Sequence, residues 1–412
     1  MKIKVTLKNT IITIVCAIFI LIAFMFLLIS IASKKPTAAF YGISDTTQKK
    51  ITEVLQTTYS RKNKRSLPFN VVTLDNSISL ERALKKQKAD ILFIYSGKNA
   101  EYAEKIALKK HTTFDSSVLN GMTSSVKKTI SIQNGKIGAV PLLIDHWELN
   151  VNTEKFNASK IKNLNNLDDL EKLARITKSS TPLPIIFAGG ENESLINFFG
   201  ALTEAVSGKE AYLNGKKTIE ELINSGKANY NSYTEILKEL IKDGNAYNET
   251  YKLLKSWMQK ELLPKNIYQM NTRDIKIMMQ GDVTTAVFLP LSEHRTIERS
   301  TISKFSTVFI PSKDEKQERT FSAPIIYGIS LKKNKIAKNA ITQMATDLQP
   351  RLTIGTGLAP VKSNSSVPDI QADDVRYWVA ASNTPFPALA DSLFTTKSQK
   401  SAFAEALRTI LS

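Results

Sequence analysis

GKIGAVPLLIDHWELNVNTEKF, residues 135–156, is the stretch whose reading decides the fold. Asn134-Gly135 is turn chemistry. Residues 137–144 form an apolar run with one proline, the pattern of a buried strand that ends at an edge or a crossing. Asp145, His146 and Trp147 then set a carboxylate, an imidazole and an indole side by side. Residues 149–151 resume an apolar strand, and Asn152-Thr153 caps the next element. A polar and aromatic break inside an apolar strand pair suits a chain passing from one lobe to another beside a cleft. A surface hairpin would show the same residues, so the flanking sequence has to decide.

Upstream, apolar strands at 38–43, 69–74 and 90–95 alternate with helical patterns at 46–61, 80–87 and 100–109. Such alternation predicts a parallel sheet covered by helices on both faces. Ligands of these sheets sit at the carboxyl ends of strands, which makes the loops 42–45 and 95–98 cleft candidates.

The chain has 412 residues, enough for two globular lobes and an appendage. Its 42% hydrophobic and 23% charged content is that of a folded protein. The net charge of +18 comes mostly from lysines scattered over helical faces, with no arginine-rich or aromatic-interleaved basic segment. That pattern argues for a lysine-rich background rather than a nucleic-acid surface. The single cysteine, Cys16, excludes an internal disulfide and a cysteine-based metal site.

Residues 9–33 carry no charge and are nearly all Ile, Leu, Phe, Val, Ala and Met. A run of about 25 residues at helical rise covers a bilayer core with some tilt. Lys2, Lys4 and Lys8 precede it, so the positive-inside rule leaves the first eight residues in the cytosol and the remainder outside. The expectation is one transmembrane anchor or uncleaved signal, with cleavage after Ala32 as the alternative. Cys16 lies inside the apolar run after Val15, which suits a membrane thiol and not a lipidated start.

Downstream, NLNNLDDLEKLAR (163–175) predicts a capped helix with a leucine stripe at 167, 170 and 173. PIIFAGGENESLINFFGAL (184–202) predicts a strand, a glycine turn and a helix that opens at Glu191-Asn192. These polar residues suit helix capping first and contact with a ligand second. Residues 208–228 suggest short polar helical pieces. Trp257 fits the apolar stripe of a helix at 250–260 and is expected in the core. MMQGD (278–282) ends a helix, with Gly281 suited to a left-handed cap.

The sequence holds no phosphate-binding glycine loop, no dinucleotide fingerprint, no G-x-S-x-G and no H-E-x-x-H. His111, His146 and His294 have no ligand-like spacing, and adjacent acidic pairs sit at helix starts or a loop tip. Neither a metal, nor a cofactor, nor an acid-base pair for catalysis is expected.

The crossing stretch resembles that of the extracellular solute-binding proteins of bacterial ABC importers, the large sugar-binding class known as family 1. The resemblance continues through 163–175, 184–202, 263–291, APIIYGISL (323–331) and IGTGLAPV (354–361), in that order, and spans 38–412. It departs where Leu167 stands for a usual tryptophan and where Leu289-Pro290-Leu291 replaces a Gly-Pro-Trp loop, which removes an aromatic face.

The resemblance implies an α/β, two-lobed periplasmic-binding-protein-like fold of type II behind the N-terminal helix. Residues 34–37 would be a linker, 38–143 and 295–355 lobe I, and 144–294 and 356–412 lobe II. A non-enzymatic receptor would capture a small polar solute, a sugar or oligosaccharide, outside the cytoplasmic membrane and deliver it to ABC permease subunits. The glycines and Pro360 of 354–361 would serve a hinge and its turn. Implied contacts are Asp145, His146 and Trp147 at the crossing, Glu191 and Asn192, Tyr327, and the aromatic candidates Tyr377, Trp378 and Phe386. A peptide or amine ligand, an anchored interaction domain and a glycan-acting enzyme are the alternative readings.

Overall fold

The computed structural model of the chain describes Ile18 and residues 35–60, 69–314, 322–365, 367, 369–382 and 385–412. The expected anchor, 9–33 with Cys16, lies outside the described residues apart from Ile18. Among the described residues no helix is long and apolar enough to cross a membrane.

The strands β1 (Thr37–Tyr41), β2 (Asn70–Thr73) and β3 (Ile91–Tyr95) alternate with helices α1 (Asp45–Ser60), α2 (Leu80–Lys86) and α3 (Lys98–Lys109). β1 pairs in parallel with both β2 and β3. The AAFY of β1 and the ILFI of β3 are buried without interruption, because helices cover both faces. A small ribbon of β4 (Phe114–Asp115) and β5 (Lys136–Ile137) precedes β6 (Ala139–Ile144).

Two residues later the chain enters a second sheet as β7 (Trp147–Asn152), joined by β8 (Ile185–Phe187), β9 (Ala286–Pro290) and β10 (Phe305–Val308) in the order β10-β7-β9-β8. It then returns to the first sheet as β11 (Ile325–Ser330), which lies antiparallel between β3 and β6, and β12 (Ala359–Pro360), which closes the edge. The first sheet therefore reads β12-β6-β11-β3-β1-β2.

Seven further helices bear on the site: α4 (Leu167–Thr177), α5 (Asn192–Asn224), α6 (Thr272–Gln280), α7 (Leu291–His294), α8 (Ile370–Ala381), α9 (Leu389–Leu393) and α10 (Lys397–Leu411). α4 begins as its sequence predicts, with the Asn166 side chain accepting from Asp169 N and Leu167, Leu170 and Leu173 buried. α5 buries Leu195, Phe198, Phe199 and Leu202. Each such side chain contributes about 1.5–3 kcal/mol of transfer free energy. A kink at Gly208, at φ +89°, interrupts α5, which then continues to Asn224 where short polar pieces were expected.

Two apolar cores follow the two sheets. Trp257 is fully buried in the second, where its helical stripe placed it. The expected lobe limits need correction on core membership. Ile297, Phe305 and Ile310 belong to the second core, because β10 pairs with β7. Leu358, Val361 and Val375 belong to the first, because β12 pairs with β6 and α8 packs beside it. IGTGLAPV is therefore no hinge: Gly357 ends a helix at φ +70° and Pro360 sits in β12. The left-handed residue after α6 is Asp282, at φ +57°, and Gly281 keeps right-handed geometry.

Candidate functional site

Three connections join the lobes, and their described residues are 145–146, 309–314 with 322–324, and 382 with 385–388. They lie side by side. Asp145 N donates to Pro324 O at 2.8 Å, Trp147 N to Ser322 O at 3.1 Å, and Ala323 N to Phe386 O at 2.9 Å.

Asp145 is the knot of this arrangement. It is 3% exposed, and its Oδ1 accepts from His146 N at 2.9 Å and Ser292 N at 3.0 Å. Its Oδ2 accepts from the Tyr95 hydroxyl at 3.2 Å. One carboxylate thus ties the end of β3, the first crossing and the start of α7. Burial raises the Asp145 pKa, against the hydrogen bonds from Ser292, His146 and Tyr95. Burial beside that carboxyl also pushes the Tyr95 phenol well up.

A cleft of about 310 Å³ opens next to Asp145, at the carboxyl ends of β1 and β3. Lobe I contributes Gly42, Ile43, Ser44, Asn76 and Tyr95. Both loops selected by the strand-end rule therefore reach it. Lobe II contributes Trp147, Asn197, Leu289, Pro290 and Glu293, together with the carboxylates at the starts of α5 and α9.

Of the residues expected at the site, Asp145, Trp147 and Glu191 line the cleft. Glu191 is already engaged, its Oε1 accepting from Thr272 N at 2.7 Å and its Oε2 from Thr272 Oγ1 at 2.9 Å. This fastens the start of α6 to the start of α5. The other six lie elsewhere. His146 turns its ring against Trp378, with centroids 5.4 Å apart, and Trp378 stacks on Phe309 at 5.8 Å. Asn192 donates to Ser401 Oγ at 2.7 Å. Tyr327 is buried in lobe I and donates to Thr129 Oγ1 at 3.1 Å. Phe386 stacks on Tyr212 at 4.9 Å. Tyr377 is largely exposed at the surface. Trp378 and Phe386 thus serve the packing of crossings and helices.

The residues missed were Asn76, Glu193, Asn197, Ser292, Glu293 and Asp391. Asn76 follows β2, so the strand-end rule extends to it. Glu193 lies in the ENES segment already singled out. Asp391 carries no local signal.

One end of the cleft is closed by direct contact between lobes. The Tyr41 hydroxyl and Asn99 Nδ2 each donate to Thr395 O at 3.2 Å, and Lys98 pairs with Glu220 at 2.8 Å. Gly97, at φ +137°, passes so close that a Cβ there would lie 2.4 Å from Asp391 O. Behind this contact the Lys400 ammonium donates to Glu193 at 2.7 Å and Asp391 at 2.9 Å. Burial pulls the Lys400 pKa down, but Asp391 and Glu193 more than reverse that, and it sits above the lysine range. Gly97→Ala is expected to wedge the lobes apart and to cost about 1–3 kcal/mol of stability. Small-angle scattering checks this as a larger radius of gyration than that of the unaltered protein.

Among the described residues no group of three or more His, Cys, Asp or Glu side chains is placed to hold a metal ion.

Solved solute-binding proteins share this architecture. The chain is similar to the bacterial solute receptor AcbH, described as having an exclusive preference for β-D-galactopyranose, with a TM-score of 0.63 at 12% identity over 92% of this chain and 99% of that one. It is similar to a chitin oligosaccharide binding protein, with a TM-score of 0.64 at 15% identity over 91% of this chain and 94% of that one. It is also similar to a sugar transporter from Bacillus licheniformis solved with stachyose, with a TM-score of 0.60 at 13% identity over 92% and 96%. At these identities the likeness shows the fold. No protein-family model and no curated protein matches the sequence.

Proposed function

We propose that this chain is the substrate-binding component of an ABC importer and captures a sugar or oligosaccharide in the cleft between its lobes. The observation that carries this reading is the cleft itself. It lies between two separately cored sheets joined by three adjacent crossings, and its walls mix hydrogen-bonding groups with the indole of Trp147. The insertion of β11 between β3 and β6 supports the type II form of the fold. Solutes of this kind are held by polar contacts along their edges and an aromatic or apolar wall against a ring face. Lobe closure about the crossings then removes the solute from water. The protein binds and does not catalyse, and closed lobes are the surface that permease subunits recognise. Residues 9–33 hold it to the cytoplasmic membrane with both lobes on the extracytoplasmic side, supported by the charge-free run behind Lys2, Lys4 and Lys8.

A thermal-shift screen of mono- and oligosaccharides tests this. A ligand at a hundredfold excess over its dissociation constant adds about 2.7 kcal/mol to the folded state. A rise in melting temperature with at least one sugar is expected. A rise with amino acids or peptides alone would keep the fold and remove the sugar.

A further inference from the structure

We propose that the cleft selects a solute carrying a protonated amine on a hydroxylated frame, the amino-sugar class. The inference rests on the cleft being the solute site. Asp145, Glu191, Glu193, Glu293 and Asp391 all line it, and among the described residues no lysine or arginine does. The chain as a whole carries a net charge of +18, so the cleft has the opposite sign to the protein around it. Lys276 reaches Glu293 at 2.9 Å, and Lys400 reaches Glu193 and Asp391, each ammonium holding a single oxygen of its partner. Two lysines against five carboxylates leave the walls negative even with Asp145 protonated.

A second observation points to the hydroxylated frame. Asn197 lines the cleft with 9% of its surface exposed. Its Oδ1 accepts from Ala390 N at 2.8 Å, and its Nδ2 donates to no group among the described residues. A cleft-lining amide whose acceptor is fixed on Ala390 N keeps its donor for an acceptor on the solute. A hydroxyl or ring oxygen supplies one, and a protonated amine cannot. The site therefore asks for a cation and an oxygen acceptor on the same small molecule. A uronic acid meets the wrong sign of charge.

Calorimetric titration with glucosamine and its β-1,4-linked dimer, against the N-acetylated pair and against glucose and cellobiose, tests this at low salt and a pH where the amine is protonated. The free-amine sugars are expected to bind at least about tenfold more tightly than the acetylated ones, the scale of one charge-assisted hydrogen bond. Added salt is expected to narrow the gap. Glu293→Gln is expected to narrow it too, at an unchanged melting temperature, because Glu293 is partly exposed. Equal or tighter binding of the acetylated or neutral sugars overturns the amine selectivity and leaves the receptor reading standing. No binding of these sugars, with no thermal shift from any other saccharide, overturns the sugar reading on which the selectivity rests.

Discussion

Replacing His294 by leucine is expected to lower the free energy of unfolding by about 1–3 kcal/mol, the cost of leaving the buried Glu148 carboxyl without its hydrogen-bond partner. His294 Nδ1 lies 2.7 Å from Glu148 Oε1, and both side chains are fully buried. The loss is expected to grow with pH. Burial raises the Glu148 pKa, and His294 holds part of that rise back. A carboxyl whose folded pKa is raised holds its proton longer in the folded chain than in the unfolded one. Its stability contribution is full below the unfolded value of about 4.3 and is lost as pH climbs toward the folded value. Without His294 the folded value climbs further, so the window of loss extends upward. Urea midpoints at pH 5 and pH 8 check this: the gap between the two proteins should be wider at pH 8, and an equal gap would show that Glu148 does not titrate there. Thr307 and Asn150 share the network, with Thr307 Oγ1 3.3 Å from Asn150 Oδ1. Successive strand residues face opposite ways, so Glu148 supports from behind the same strand end that presents Trp147 to the cleft.

Asp145→Ala is expected to cost about 2–4 kcal/mol and to weaken solute binding by at least about tenfold. The substitution leaves His146 N, Ser292 N and the Tyr95 hydroxyl without their acceptor. A buried donor left unmade costs about 1–3 kcal/mol, and local relaxation recovers part of the total. The affinity loss arises because Ser292 and Tyr95 themselves line the cleft and are held in place by this carboxylate. Tyr95→Phe removes one bond only and should cost about 1 kcal/mol. Paired denaturation and titration curves for the two variants check the ranking. Equal losses for both would mean that Asp145 does not organise the crossing.

The crossing was legible because its signal is local. β6 ends at Ile144 and β7 begins at Trp147, so an apolar strand, a polar break and a second strand fall within one short window. The loops after β1 and β3 were found by the rule that ligands sit at strand ends. What sequence could not show was which polar and aromatic side chains turn toward the cleft. His146 and Trp378 are far apart in the chain and pack ring against ring, and Phe386 stacks on Tyr212. Lys400 meets Glu193 across 207 positions, a pairing with no trace in local pattern. The lobe limits failed for a related reason. The FSTV of β10 is too short and polar to declare its sheet, and only its pairing with β7 assigns it.

Native mass spectrometry of the purified protein with the saccharide panel tests the central claim most directly. One solute held per chain, retained with at least one sugar and lost in Asp145→Ala, is the predicted result. No sugar retained, or an adduct that persists unchanged in Asp145→Ala, would contradict a solute receptor whose cleft is organised by that carboxylate.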